Sequence, residues 1–411
     1  MKILFIRSSN PYFDSSASGN RYSGLLDGLI EKGVSVTLLI TGGYNSYNEF
    51  KQKGLPFKSN KLAVKYLIPA FNTNIWFRRI NTYLLHGVYL KIIRRFSKSY
   101  FKADFNIVWL TFENNVLAAY NANKHCLKYK SFLELNEYND LHEGHVKLGN
   151  KLQLKKAEKE NKIFLDSLKF IDLLGIMTKN LIEHYKPLSH AKVKILHLPM
   201  TVNMSRFGSQ SETEPRFIKP YIAYTGTFNN AKDGVDILIR SFIKISDKFP
   251  DHKLYMAGFY HYDVAINDEI VNKSGIRSRI INIGVLQKDE IPTFLQQASL
   301  LVMARPDSRQ AQGGFPTKLG EYLATGNPVC VTKVGEIHEY LIDNESAFLA
   351  EPGDIDSFAD AMERALSDIE NARRIGLNGK IVAEKTFNTT VQAARLYKFF
   401  EENIEHSKNI S

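Results

Sequence analysis

Short apolar runs rich in β-branched residues alternate with longer stretches whose apolar positions recur every three to four residues, through both halves of the chain. In the first half the runs are KILFI from Lys2, VSVTLLI from Val34, NIVWL from Asn106, SFLEL from Ser131, LLGIM from Leu173 and KILHL from Lys194. Residues 21–32 and 148–168 read as helices between them. In the second half the runs are YIAYTG from Tyr221, KLYMAG from Lys253, INIGVL from Ile281, SLLVMA from Ser299, NPVCVT from Asn327 and AFLAEP from Ala347. Residues 233–249, 288–297, 316–325 and 356–367 carry the helical period there. Alternation of this kind predicts parallel sheets covered by helices, hence an α/β chain of two doubly wound, Rossmann-like domains. Residues 207–220, rich in Ser, Glu, Gly and Pro and lacking an apolar period, read as a linker. The first domain is then 1–206 and the second 221–389, with a last helical stretch in 390–411 free to cross back to the first.

Composition narrows the class. A chain of 411 residues is too long for one core, and 44% apolar with 24% charged residues is a globular balance that excludes disordered and fibrous proteins. No apolar run approaches the roughly 18 residues of a membrane helix. The opening MKILFI gives way at once to polar RSSN, so it reads as a first strand and not as a leader. Cys126 and Cys330 are too few and too far apart for a disulfide framework or a four-ligand zinc site, which fits a reducing cytoplasm. His142, His145, His184, His190 and His197 match no metal-ligand spacing, and no Ser-His-Asp set is legible.

Charge separates the halves. Residues 1–200 hold 30 Lys+Arg against 15 Asp+Glu, an excess of +15, whereas residues 201–411 hold 24 against 28, or −4. Residues 50–103 contain 12 basic side chains and no acidic one, interleaved with Trp76, Phe77, Tyr83, Leu84, Leu85, Val88, Tyr89, Ile92, Ile93 and Phe96. This block reads as a basic amphipathic helix suited to an anionic membrane surface, at about 1 kcal/mol per near-surface cation. A domain helix with its apolar stripe in the core and its arginines in water stays open. No nucleic-acid motif accompanies the charge.

In doubly wound sheets ligands sit outside the carboxyl ends of strands, where helices begin and their free amides favour anions. The stretch SLLVMA, RPDSRQAQGG, FPTKLGEYLATG has that form. A buried strand ends at Ala304 and a polar loop with Arg305, Asp307, Arg309 and Gln310 follows. Gly313 and Gly314 then permit close backbone approach, and Pro316 suits a first helical position. The amides of Thr317 and Lys318 point at whatever occupies that helix end. Lys318 and Glu321, three apart, share a helix face, so a plain salt bridge is the alternative for that pair.

The stretch FPTKLGEYLATGNPVCVTKVGEIHEYL resembles the donor site of the retaining glycosyltransferases of family 4, whose GT-B fold sets two Rossmann-like domains across a cleft. YTGTFNNAKDGVDILIRSF is similar to the family's glycine loop, HLPMTVNMSRF to its entry into the linker, and SASGNRYSGLLDGLIEKGVSVTLL to its first-domain loop and helix. The resemblance implies a nucleotide-diphosphate sugar in the second domain and an acceptor in the first. Glu321 matches the glutamate that binds the nucleotide ribose. Gly314, Phe315 and Thr317 match the turn whose amides meet the diphosphate, Gly226 lies in the glycine loop, and Lys232 matches the phosphate-neutralising lysine. Two positions depart from the pattern. Gly313 stands where the first glutamate of the family's pair holds the sugar, leaving that role to Gln310, Gln312 or Asp307 or to no such contact, and Thr227 stands where an arginine is common, with Arg305 the candidate replacement. Ser18, Gly19 and Asn20 match the first-domain loop that approaches donor phosphate and acceptor. After SFLEL the polar set Asn136, Glu137, Tyr138, Asn139, Asp140 follows, with Glu137 first, Glu134 second and Asn136 beside them as the catalytic polar groups.

The expected activity is transfer of a sugar from a nucleotide-diphosphate sugar to a hydroxyl of a glycan or lipid-linked glycan, in bacterial surface polysaccharide synthesis, with retention. Neither cofactor nor metal is expected. The expected place is the cytoplasm, at the inner face of the plasma membrane, with no nucleic-acid partner. An epimerase or inverting transferase of the same fold, or a catalytically silent nucleotide-sugar-binding partner subunit, are the alternatives.

Overall fold

The computed structural model describes residues 1–14, 16–57, 59–67, 86–139, 151–208, 217–259 and 263–405. The chain divides into two compact units, Met1–Leu198 with Gln392–Ser411, and Pro199–Val391.

The first unit is built on seven parallel strands: β1 Lys2–Arg7, β2 Ser35–Ile40, β3 Leu62–Tyr66, β4 Ile107–Leu110, β5 Lys130–Leu135, β6 Leu173–Ile176 and β7 Lys194–His197. Their order in the sheet is β3-β2-β1-β4-β5-β6-β7. Central strands of a parallel sheet are covered on both faces, so Ile3 to Ile6 and Ile107 to Leu110 are all fully buried. The helix Ala17–Glu31 starts where Ser16 accepts the Gly19 amide hydrogen, and it buries Tyr22, Leu25, Leu26 and Leu29 against the sheet. The last helix, Thr389–Glu405, contributes Ala393, Leu396 and Phe400 to this same core, where Phe400 meets Phe132 edge-on at 4.9 Å between ring centroids.

The second unit carries six parallel strands: β8 Tyr221–Thr225, β9 Lys253–Ala257, β10 Ile280–Gly284, β11 Leu300–Met303, β12 Val329–Thr332 and β13 Phe348–Ala350. Their order is β10-β9-β8-β11-β12-β13. Val235, Leu238, Ile239, Phe242 and Ile245 of the helix Val235–Ile245 follow the 3.6-residue period into the core, beside Phe358, Met362 and Ala365 of the helix Ile355–Ser367. Both sheets reverse strand order at their first strand, β1 or β8, and that reversal opens a crevice at the strands' carboxyl ends.

Two expectations need correction. The basic block is not one amphipathic helix. It contains β3, hidden because Lys61 and Lys65 frame and interrupt a strand of only five residues, and a helix His86–Lys102. Ile93, Ser97 and Phe101 of that helix are buried in the unit, while Lys91, Arg94, Arg95, Lys98 and Lys102 are exposed. Trp76, Phe77, Arg78, Arg79, Tyr83, Leu84 and Leu85 lie outside the described residues. The change of unit falls at Leu198 to Pro199, before the serine-rich stretch, because Met200, Val202 and Phe207 are already buried in the second unit. Val202 exchanges backbone hydrogen bonds with Phe387 and Thr389, so incoming and outgoing chain are stitched together there. No described helix is long and apolar enough to cross a membrane.

Candidate active site

The crevice of the second unit lies where β8 and β11 end. Gly226, just past β8, has φ of 149°, a conformation that favours glycine, and a Cβ built there would stand 2.2 Å from Lys318 Nζ and 2.8 Å from the Tyr224 hydroxyl. Glycine at this place is what lets the lysine amine reach the strand end. Lys318 Nζ donates to Asp233 Oδ1 at 2.9 Å and to the Tyr224 hydroxyl at 3.3 Å, and it lies 4.8 Å from the centroid of the Tyr224 ring. The side chains of Lys318 and Asp233 keep only 18% and 7% of their surface. Burial lowers the Lys318 pKa, Asp233 opposes that shift, and the charges of Arg305 and Lys232 lower it further. The same burial, with Asp233 adding to it, pushes the Tyr224 phenol well up.

Arg305 is buried at the end of β11, and its guanidinium donates to the carbonyl oxygens of Lys232 at 3.3 Å and Gly314 at 3.5 Å. Thr332 Oγ1 donates to the Arg305 carbonyl at 2.8 Å. Lys232, half-buried, is the third residue of the short helix Asn230–Asp233, which Asn229 caps through the Lys232 amide. Gly234 follows with φ of 62°, and a Cβ there would fall 1.8 Å from the Ala304 carbonyl oxygen. Backbone from β8 and β11 can approach that closely only at glycine. Lys318 pairs with Asp233, and the charges of Lys232 and Arg305 act on Lys318, so three cations and one carboxylate gather here for a local formal charge of +2.

Around this cluster several expected residues take other places. The polar loop after Ala304 contains a helix, Arg309–Gly313, capped by Ser308, so Gly313 ends a helical turn instead of bridging a loop. Gln312 is bonded to Asp307 at 2.6 Å, while Gln310 is exposed. Pro316 occupies the cap position and Thr317 the first helical one, and no side chain caps this helix, Thr317–Thr325. Phe315 turns inward, edge-on to Tyr340 at 5.6 Å and tilted against Phe387 at 5.3 Å, so only its backbone faces the crevice side. The pairing of Lys318 with Glu321 does not form. Glu321 is held by Arg206, whose Nη1 donates to Oε1 at 2.5 Å.

In the first unit the corresponding crevice follows β1 and β4. Arg7, the last residue of β1, donates through Nη2 to Asp14 Oδ2 at 2.6 Å and to Ser18 Oγ at 3.0 Å, with Nε 3.6 Å from Glu113 Oε1. Glu113 Oε2 accepts the Ser8 amide hydrogen at 2.6 Å. Burial raises the Glu113 pKa against the pull of Ser8 and Arg7. Burial also works to raise Asp14, but its hydrogen bonds from Ser16 and the Arg7 charge bring it below its usual value. Ser18, Gly19 and Asn20 sit in the first turn of the helix from Ala17, not in a loop before it. Gly19 is required there, since a Cβ would meet the Asp14 carbonyl oxygen at 2.3 Å.

The catalytic candidates separate. Glu134 is wholly buried on β5 and ion-paired with Arg21, whose Nη2 also donates to the Leu198 carbonyl at 2.9 Å. Among the described residues its Oε2 is buried and makes no hydrogen bond. Glu137 is exposed, and its carbonyl accepts from the Tyr185 hydroxyl at 3.0 Å. Among the described residues, Asn136 presents a buried Oδ1 that makes no hydrogen bond. Asp140, His142 and His145 lie outside the described residues. Asp233, Arg206, Arg7 and Glu113 escaped sequence reasoning, because each is recognisable only through partners distant in the chain.

Comparison with known proteins follows this division. Residues 219–368 match the family model described as glycosyl transferases group 1. An uncharacterized glycosyltransferase of Methanocaldococcus jannaschii is 30% identical over 165 residues, 39% of this chain and 42% of that protein. A GDP-mannose-dependent alpha-(1-6)-phosphatidylinositol monomannoside mannosyltransferase of Mycolicibacterium smegmatis is 23% identical over 210 residues, 49% of this chain and 54% of the relative. The chain thus matches about half the length of these curated relatives. Among solved structures, the Anabaena protein HepE in complex with UDP and glucose aligns with 98% of this chain and 100% of its own, at 13% identity and a TM-score of 0.67. The chain therefore has the fold of the GT-B glycosyltransferases, and over residues 219–368 it matches glycosyl transferases group 1.

Proposed function

We propose that this protein is a glycosyltransferase that moves a sugar from a nucleotide-diphosphate sugar to a hydroxyl of a glycan or lipid-linked glycan, with retention, in surface polysaccharide synthesis. The observation that carries the reading is the gathering of Lys232, Arg305 and the Lys318–Asp233 pair at the crevice of the second sheet, beside an uncapped helix start. Breaking the bond between the anomeric carbon and the diphosphate leaves its electron pair on the terminal phosphate. Cations and amides already in place stabilise that charge without having to reorganise. This chemistry asks for no metal ion, and turnover that survives a chelator is the expected outcome. The acceptor oxygen bonds to the anomeric carbon and must lose its proton, for which Glu137, exposed two residues past the end of β5, is the candidate. The exposed face of Lys91, Arg94, Arg95, Lys98 and Lys102 would hold the first unit at an anionic membrane surface where such acceptors reside.

The GDP-mannose requirement of one relative and the UDP in one structural neighbour support a nucleotide-sugar donor. Thermal unfolding with UDP-glucose, UDP-galactose and GDP-mannose tests it, because a ligand at 100 times its Kd adds about 2.7 kcal/mol of stability. No shift with any of them would sink the donor site. The anomeric configuration of the product separates retention from inversion or epimerisation. Gly313, which lacks the side chain expected to hold the sugar, favours a silent binding subunit as the second reading. Turnover by the purified chain alone excludes that subunit.

A further inference from the structure

Arg206 lies in the short turn Met204–Phe207 of the second unit, ahead of all its strands. It is held from several sides. Asn203 caps the turn by accepting the Ser205 amide hydrogen at 3.0 Å, buried Phe207 anchors its end, and the Arg206 guanidinium lies 5.7 Å from the Phe207 ring centroid. From this seat Nη2 donates to the Lys288 carbonyl at 3.1 Å, and Nη1 donates to Glu321 Oε1 at 2.5 Å. Among the described residues Oε2 of Glu321 makes no hydrogen bond. Both side chains remain about one-fifth exposed, so the free oxygen is within reach of solvent. A carboxylate has roughly four lone-pair sites, and an arginine that occupies one oxygen fixes the direction of the other.

We infer that Arg206 is a positioning residue for donor recognition: it ties down Oε1 of Glu321 and aims Oε2 at a ribose hydroxyl of the donor nucleoside. The inference rests on the proposed nucleotide-sugar site and adds to it what orients the carboxylate. Two properties favour arginine for the task. Its planar fork reaches Glu321 and the Lys288 carbonyl together, which ties the helix Thr317–Thr325 to the loop after β10. Its charge also offsets a carboxylate that would otherwise repel the nearby diphosphate.

The test is calorimetric titration of the full chain with UDP, GDP and their 2′-deoxy and 3′-deoxy counterparts, for wild type, R206K, R206Q and E321Q. Wild type should prefer a ribose over at least one deoxyribose form by about tenfold or more, the worth of one hydrogen bond to a charged group. R206Q and E321Q should lose that preference, while R206K, which still reaches Oε1, should keep part of it. Should R206Q fail to fold, R206K against E321Q decides. A purely structural arginine would weaken all nucleotides equally, so an unchanged ribose to deoxyribose ratio in R206Q and R206K overturns the inference. So does a wild type that binds the diphosphates without distinguishing them, which leaves the donor site standing. A wild type that binds neither UDP nor GDP removes the donor site itself, and this inference with it.

Discussion

The two units place ionic clusters at the same topological position, and the clusters have opposite sign. Where β1 and β4 end, one cation, Arg7, is enclosed by two carboxylates, Asp14 and Glu113. Where β8 and β11 end, one carboxylate, Asp233, pairs with Lys318 beside two further cations, Lys232 and Arg305. The half of the chain with an excess of +15 thus carries the negative crevice, and the half at −4 carries the positive one. Total charge governs what a body meets at long range, whereas a ligand in a crevice feels the few groups within several ångströms, because salt screens the rest beyond about 10 Å. A diphosphate is accordingly suited to the second unit, and neutral or hydroxylic groups to the first.

The comparison can be broken first at Gly234. A Cβ there would overlap the Ala304 carbonyl and force a positive φ on alanine, so Gly234→Ala should cost about 3 kcal/mol or more and lower the unfolding midpoint sharply. An unfolding curve matching wild type would show that the strand ends do not meet as described. Next in size, Lys232→Ala should weaken binding of UDP or GDP by about tenfold or more while leaving the fold stable, as titration would show. If affinity is unchanged, the positive crevice is not where the diphosphate sits. Reversal of two exposed cations, Arg94→Glu with Arg95→Glu, should cut flotation with anionic liposomes by an amount equivalent to about 1 kcal/mol per residue, and added salt should erase the difference.

The smallest effect concerns the negative crevice. Burial holds the Glu113 pKa above its unfolded value, so the native state binds this proton more tightly and stability falls as pH rises through the folded value. Glu113→Gln removes that fall. Unfolding midpoints of variant and wild type, measured from about pH 4 to about pH 7, should diverge in the variant's favour as pH rises. A constant difference would mean that Glu113 titrates as it does in the unfolded chain.

Much of this architecture was written in local patterns. Buried parallel strands are continuous apolar runs, so twelve of them were readable, as were the strand and the helix that flank the loop before Pro316. β3 was not readable, because Lys65 interrupts its apolar positions and its burial is shared with a neighbouring strand. Helical spacing suggested Lys318 with Glu321, yet each found a partner elsewhere, Asp233 at 85 residues' separation and Arg206 at 115. A pair three apart on a helix is worth a few tenths of a kcal/mol, which any well-placed buried partner exceeds.

The amino-acid sequence by itself determined the α/β class, nearly all strands and the position of the anion-favouring helix, since these follow from period, glycine and proline within a few residues. Only the tertiary structure decided that Lys318 pairs with Asp233, that Glu134 is sealed inside the first sheet, and that Arg206 grips Glu321. Ion pairs form between whatever side chains the sheet order brings within about 4 Å, and strand order is a property of the closed fold that no local stretch of chain encodes.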